Sequence, residues 1–163
     1  MSVKVKVEMK EEYLYDFMVR HNYTSIGGIF GVLVGILGII LGVLNFQKGD
    51  IGMTVLWLFF AVYFLVVTPF SFKKKAKTQM NTPRFETPLD CEFTQEGIVV
   101  RQGEEEETTA WEFIRKAIRT KHSLILYSGR MRAFIFPKEC IGEKYEDVVN
   151  IIREKMPEKK VKF

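Results

Sequence analysis

The sequence predicts a membrane α-helical hairpin joined to one α+β soluble domain: about seven short antiparallel strands, in a partly open barrel or sandwich, capped by a terminal helix. Three observations carry this. Two long runs, Ser25–Phe46 and Ile51–Phe72, contain no charged residue. Beyond residue 88 the apolar positions recur every second residue, the period of a half-buried strand. Near the end they return to helical spacing.

The first strand is Val3 to Glu8, where valine alternates strictly with charge. Such a strand has one face to bury and is expected to join the sheet that follows the hairpin. Lys10 to Tyr23 then carries Tyr13, Leu14, Phe17 and Met18 at helical spacing, a helix expected at the membrane interface with its aromatic rings at headgroup depth. His21, alone near that boundary, reads as an interfacial residue.

Each apolar run is about 22 residues long, and at ~1.5 Å per residue that crosses a hydrocarbon layer of ~30 Å. The connector Gln47-Lys48-Gly49-Asp50 permits only an antiparallel return. Lys73, Lys74, Lys75, Lys77 and Arg84 crowd the exit of the second run, and Arg20 with three lysines precedes the first. Lysine and arginine stay on the cytoplasmic side, so the expected topology is two-pass in the cell membrane with both termini cytoplasmic. The opening is charged and alternating, unlike a cleavable signal peptide.

Gly27, Gly31, Gly35, Gly38 and Gly42 recur at spacings of four and three and share one helix face. Small residues let another helix backbone approach closely, where dispersion accumulates in a solvent with no hydrophobic drive. Two readings stay open: packing on the second helix of the same chain, or a seam with a second copy or another membrane protein. Neither span carries an acidic, basic or histidine side chain of the kind a proton or ion path requires.

Asn81-Thr82-Pro83 and Thr87-Pro88 mark a linker. Strands are expected at Leu89 to Thr94, Ile98 to Gln102, Thr108 to Glu112, Ile114 to Arg119, Ser123 to Tyr127 and Met131 to Phe136, with turns at Gln95-Glu96-Gly97, at Gly103 with the glutamates 104–107, at Lys121-His122 and at Ser128-Gly129-Arg130. Pro137 ends the sheet. From Glu143 to Met156, Tyr145, Val148, Val149, Ile152 and Met156 form one stripe that docks a helix on the sheet, and Pro157 stops it. The chain is thus divided into 1–24, strand and interfacial helix; 25–72, hairpin; 73–88, basic linker; 89–157, β domain with its helix; and 158–163, basic tail.

In order and pattern the chain resembles the YcxB-like family of small bacterial membrane proteins. The match is a charged strand and helix, two spans, a lysine-rich exit, Gly-Ile-Val-Val at Gly97 to Val100, Trp111 followed by Ile114, and Ile-Phe-Pro-Lys at Ile135 to Lys138. The resemblance implies a C-terminal domain similar to pleckstrin-homology (PH)-like folds, a cytoplasmic-membrane location and no established activity. It brings no catalytic residues to carry over. Trp111 reads as an aromatic anchor of the sheet and Pro137 as a strand terminator.

No nucleophile–base pair, metal motif or glycine-rich phosphate loop is found, so no catalytic, metal or cofactor residue is assigned and the protein is read as a non-enzyme. The glutamates 104–107 are expected at a solvated hairpin tip, since like charges repel and seek water. The net charge of +4 is concentrated in the helix exit and the tail, unlike a nucleic-acid footprint. Lys73, Lys74, Lys75 and Lys77 are candidates for anionic lipid. Arg115, Lys116, Arg119 and Lys121, near Trp111, are candidates for a ligand surface. The expected function is a membrane-anchored cytoplasmic interaction or sensor module that binds a protein segment or anionic lipid. The alternative is a subunit of a transport or export assembly docking through the glycine face. Cys91 falls on the apolar phase of its strand and reads as core, and both Cys91 and Cys140 are expected as free thiols in a reducing compartment. A membrane-impermeant thiol reagent should therefore leave Cys140 unlabelled in intact cells and label it once they are opened; labelling before opening refutes this orientation.

Overall fold

The computed structural model describes residues 2–129 and 132–163, without the side chain of Arg84. Arg130 and Met131, read above as a turn residue and a strand start, lie outside the described residues. The chain forms two compact units, Met1–Asp16 with Gln79–Phe163, and Phe17–Thr78. The first boundary between these units falls inside a helix, between Asp16 and Phe17.

The first unit is built on two four-stranded sheets. Sheet A runs in the order β1 (Val3–Val7), β2 (Leu89–Phe93), β3 (Gly97–Gln102) and β4 (Glu105–Ala110). The N-terminal strand does return to the domain beyond the apolar runs: Val3 lies opposite Phe93, Val5 opposite Cys91 and Val7 opposite Leu89. This register turns all three valines inward, as the alternation requires.

Sheet B runs in the order β7 (Ala133–Pro137), β6 (Ser123–Tyr127), β5 (Lys116–Arg119) and β8 (Val161–Lys162). Seven of the strands pair antiparallel, but β8 is an eighth and pairs parallel to β5. The stretch 158–163, expected as a plain basic tail, thus contributes a strand. Two residues carry too little pattern to signal one.

β4 starts earlier than expected, at Glu105, and ends at Ala110, so three of the glutamates enter the ladder. The cause is the turn. Gly103, at φ +60°, opens a two-residue loop that places Glu105 opposite Gln102, and a tight loop dictates register regardless of strand propensity. The glutamates stay exposed on an edge strand, where charge discourages unwanted pairing. Ile114 and Arg115 precede β5 instead of belonging to it, since Trp111–Phe113 forms a 3-10 turn.

The core lies between the sheets and a helix. Phe93 of sheet A meets Phe136 of sheet B with ring centroids 4.8 Å apart. α5 (Lys138–Ile141) and a 3-10 turn lead into α6 (Tyr145–Lys155), which buries Val148, Val149, Ile151 and Ile152 in the same cluster as the β1 valines. Trp111 is buried in that cluster, and its indole N–H donates to the Thr94 carbonyl at 2.9 Å. Gly97 has no room for a side chain: a Cβ there would stand 2.2 Å from the Thr109 carbonyl oxygen.

α1 (Glu11–Thr24) starts in the first unit, and here the interfacial expectation needs correcting. Tyr13 and Leu14 are buried, and the Tyr13 hydroxyl donates to Glu139 at 2.6 Å. The Tyr13 ring is packed inside the protein and so does not sit among headgroups.

The second unit is dominated by α2 (Ile26–Gln47) and by a helix, Ile51–Met80, composed of α3 (Ile51–Val62), a π turn (Tyr63–Val67) and α4 (Thr68–Met80). Both are long and apolar enough to cross a membrane, and only 22% and 11% of their apolar windows are buried, unlike the core helices of a soluble protein. Ser25 and Asp50 cap the two starts, accepting from Gly28 N–H and Met53 N–H. The π turn has a local cause. Pro69 follows it and lacks the N–H that would serve the Leu65 carbonyl, and within the turn the Tyr63 carbonyl receives both the N–H and the hydroxyl of Thr68. The helix then continues to Met80, so the first half of the expected linker 73–88 is helical, and Pro83–Phe85 is a 3-10 turn.

The glycine face packs within the hairpin. A Cβ at Gly38 would stand 2.7 Å from the Trp57 carbonyl oxygen, and one at Gly35 would meet the Leu65 side chain at 2.6 Å. Gly31 faces Phe64 and Gly42 faces Leu58. Gly27 is off this face with open space around it, and its neighbour Gly28 is buried in its place. At ~100° per residue the two lie equally far from the stripe's centre; Gly28 is chosen by the bend after α1, where a Cβ would collide with the Asn22 carbonyl. Replacing Gly38 by Leu should cost the hairpin about 1–3 kcal/mol by overpacking against backbone, read as a lower midpoint in detergent unfolding. Gly27→Leu should be neutral or slightly stabilising, and equal losses at both positions would refute this packing.

Candidate functional site

Lys73, Lys74, Lys75 and Lys77 are all exposed on α4, while Ala76 between them is buried. Because the helix does not end at Phe72, the four ammonium groups ride on one rigid element that continues the second apolar run. Lys75 reaches over the Phe72 ring at 5.6 Å, its stem along apolar surface and its charge outward.

Lys116 and Arg119 lie on β5, and Arg115 and Lys121 lie just outside its two ends. Arg115, Arg119 and Lys121 are exposed, and Lys116 is half-buried with its ammonium 5.9 Å from the Tyr127 ring centroid. Between them Ala117 and Ile118 are buried. β5 is an interior strand of sheet B, with β6 on one edge and β8 on the other. The edge that peptide addition would use is therefore already occupied by residues of this chain.

The glycines do not form a free docking surface, since Gly31, Gly35, Gly38 and Gly42 are covered by the second apolar helix. The glutamates do not form a cage. Glu106 pairs with Arg101 at 2.6 Å, and Arg101 also reaches Glu92 at 3.1 Å, which in turn lies 3.9 Å from Lys4. These contacts make a charge ladder across all four strands of sheet A. Glu92 is held below the usual carboxylate range, first by its bond from Arg101. Among the described residues no three His, Cys, Asp or Glu side chains come together as metal ligands.

Sequence reasoning missed one polar cluster. Lys10 at the start of α1 pairs with Glu139 of α5 at 2.9 Å, beside the bond from Tyr13. Glu139 is lowered in consequence, first by Tyr13 and then by Lys10, while Lys10 and Tyr13 are raised. Its partners are more than a hundred residues apart in sequence, and nothing local in the sequence signals such a pairing. The cluster ties α1 to the helix that follows the last antiparallel strand. Its carboxylate is mostly exposed, so its worth is that of a surface pair.

The cysteines differ as their surroundings do. Cys91 is buried, and desolvation, with Asp90 adding to it, pushes its thiol from 9.0 up to about 12. Cys140 is half-exposed and its thiol points at the Glu8 carbonyl, 3.6 Å away. Below pH 9.0 the folded and unfolded chains both keep the Cys91 proton. Between 9.0 and about 12 only the folded chain keeps it, so stability falls as pH rises through that window. Cys91→Ala should remove this part of the alkaline slope in denaturant unfolding, and an unchanged slope would refute it. In the native protein near neutral pH, iodoacetamide should modify Cys140 and spare Cys91.

Residues 93–152 match the family model described as YcxB-like protein. No curated protein and no solved structure matches the chain. The matched stretch runs from the last residue of β2 through most of α6, and so takes in sheet B except β8, the core around Trp111 and most of the capping helix. This part of the protein is similar to the YcxB-like family, the one that its motifs resemble.

Proposed function

We propose that the chain is a two-pass membrane protein whose lysine collar binds anionic lipid and holds a non-enzymatic interaction domain at the cytoplasmic surface. The observation that carries this is the unbroken helix from Ile51 to Met80, which continues from apolar residues straight into four exposed lysines. A flexible linker would spread those charges over many positions. A helix keeps them within two turns of the apolar stretch, where each is worth about 1 kcal/mol toward an anionic surface. The pairing of β1 with β2 supports the two-pass reading, because any crossing inserted between two paired strands must be even in number. The cytoplasmic assignment rests on the same lysines.

For the domain itself we read a PH-like arrangement. Four antiparallel strands, three more in a second sheet, and a helix closing the core follow in that order along the chain. The basic surface around β5 is its contact face, and binding, not turnover, is its task.

The test is lipid retention. The purified full chain, reconstituted in nanodiscs of mixed phosphatidylcholine and phosphatidylglycerol, should enrich phosphatidylglycerol in native mass spectrometry. Lys→Gln at 73, 74, 75 and 77 together should cut that preference roughly 10- to 1,000-fold, and added salt should weaken it in the parent protein. Equal retention of both lipids by the parent would refute the proposal.

A further inference from the structure

The second edge of β5 is filled weakly and by an ill-matched segment. β8 contributes two residue pairs, Val161 beside Ala117 and Lys162 beside Ile118, whereas β6 pairs with the same strand over four residues. Parallel ladders are also slightly less stable per residue than antiparallel ones. Apolar contacts hold the segment: Val161 and Phe163, two apart, pack partly buried against the core. Arg153 helps, donating to the Phe163 backbone oxygen at 3.3 Å with its guanidinium 5.7 Å from the ring centroid.

The charges oppose this fit. Residues 158–163 include Lys159, Lys160 and Lys162 against a single acid, Glu158. The strand they join is bordered by Arg115, Lys116, Arg119 and Lys121, and among the described residues Arg115, Arg119 and Lys121 make no ion pair. Like charges on neighbouring strands destabilise the pairing. The edge therefore rewards apolar residues at alternate positions, which its occupant supplies, and negative charge around them, which its occupant lacks.

We propose that this edge of β5 binds an extended acidic segment of a partner protein, paired parallel to β5, and that residues 158–163 are a place-holder which it displaces. Main-chain hydrogen bonds supply the affinity, the Val161 and Phe163 positions supply two apolar sites, and Arg115, Arg119 and Lys121 select carboxylates. The inference rests on reading the sheet domain as a binding module. Competition sets the response: the partner must overcome only two backbone pairs and two half-buried side chains, so the holding segment tunes affinity without blocking it.

The test uses a fluorescent synthetic copy of residues 158–163 with all three lysines changed to glutamate, and a second copy with the lysines kept. Fluorescence anisotropy is measured against the purified full chain and against a chain ending at Pro157. The acidic copy should bind the shortened chain roughly tenfold more tightly than the lysine copy, and the full chain more weakly than the shortened one. R115E/R119E/K121E should abolish the preference. Equal binding of both copies, or binding of neither, overturns the proposal. If the shortened chain does not fold, a full chain carrying K159E/K160E/K162E decides: amide exchange across Lys116–Arg119 should slow relative to the parent, and unchanged or faster exchange overturns it. Failure here leaves the lipid reading intact, since that is judged at Lys73, Lys74, Lys75 and Lys77 by lipid retention.

Discussion

The pairing of β1 with β2 governs the rest of the architecture. Five residues from the start of the chain lie in register with Leu89–Phe93, and everything between them leaves the sheet and comes back. The bond pattern is local, but its consequence is global. Without β1 the valine side of sheet A would lose Val3, Val5 and Val7, and β2 would become an edge strand. Closing so long a loop costs entropy that grows only slowly with length. A stiff hairpin with its own packing reduces even that, because its two ends are already held near each other.

That hairpin is stabilised differently from the sheets. Between the β strands the driving force is removal of apolar surface from water, seen in Phe93, Ile98, Leu124 and Phe136, all almost wholly buried. Between α2 and α3 it is close approach: Gly38 brings one helix against the Trp57 carbonyl of the other, while most large side chains point outward. Both helices leave a largely apolar surface outward and are long and apolar enough to cross a membrane. In the π turn before Pro69 the backbone is likewise satisfied within the helix, the Tyr63 carbonyl accepting from both the N–H and the hydroxyl of Thr68.

The charged surfaces sort by element. On sheet A, Lys4, Glu92, Arg101 and Glu106 neutralise one another. Among the described residues, Lys73, Lys74, Lys75 and Lys77 on α4 and Arg115, Arg119 and Lys121 around β5 make no such ion pair. Neutralised charge serves the sheet, and uncompensated charge is what a lipid surface or an acidic segment could use.

By itself the sequence determined the elements whose physics is local: the two apolar runs, the alternating valines, the Gly103 turn region, the stripe of α6 and the basic groups. Periodicity and composition act over a few residues, so they are readable there. Only the tertiary structure decided which surfaces those elements meet. The glycine stripe did not reveal whether its groove was filled by the same chain, and Gly28 replaces Gly27 because of a bend set by Asn22. Tyr13 left the expected interface for Glu139, a partner far away in sequence. β8 is too short to have a pattern, and exists only because β5 offers an open ladder where Val161 and Phe163 can be partly buried. Such choices depend on contacts between residues that are distant along the chain, and no local spacing encodes them.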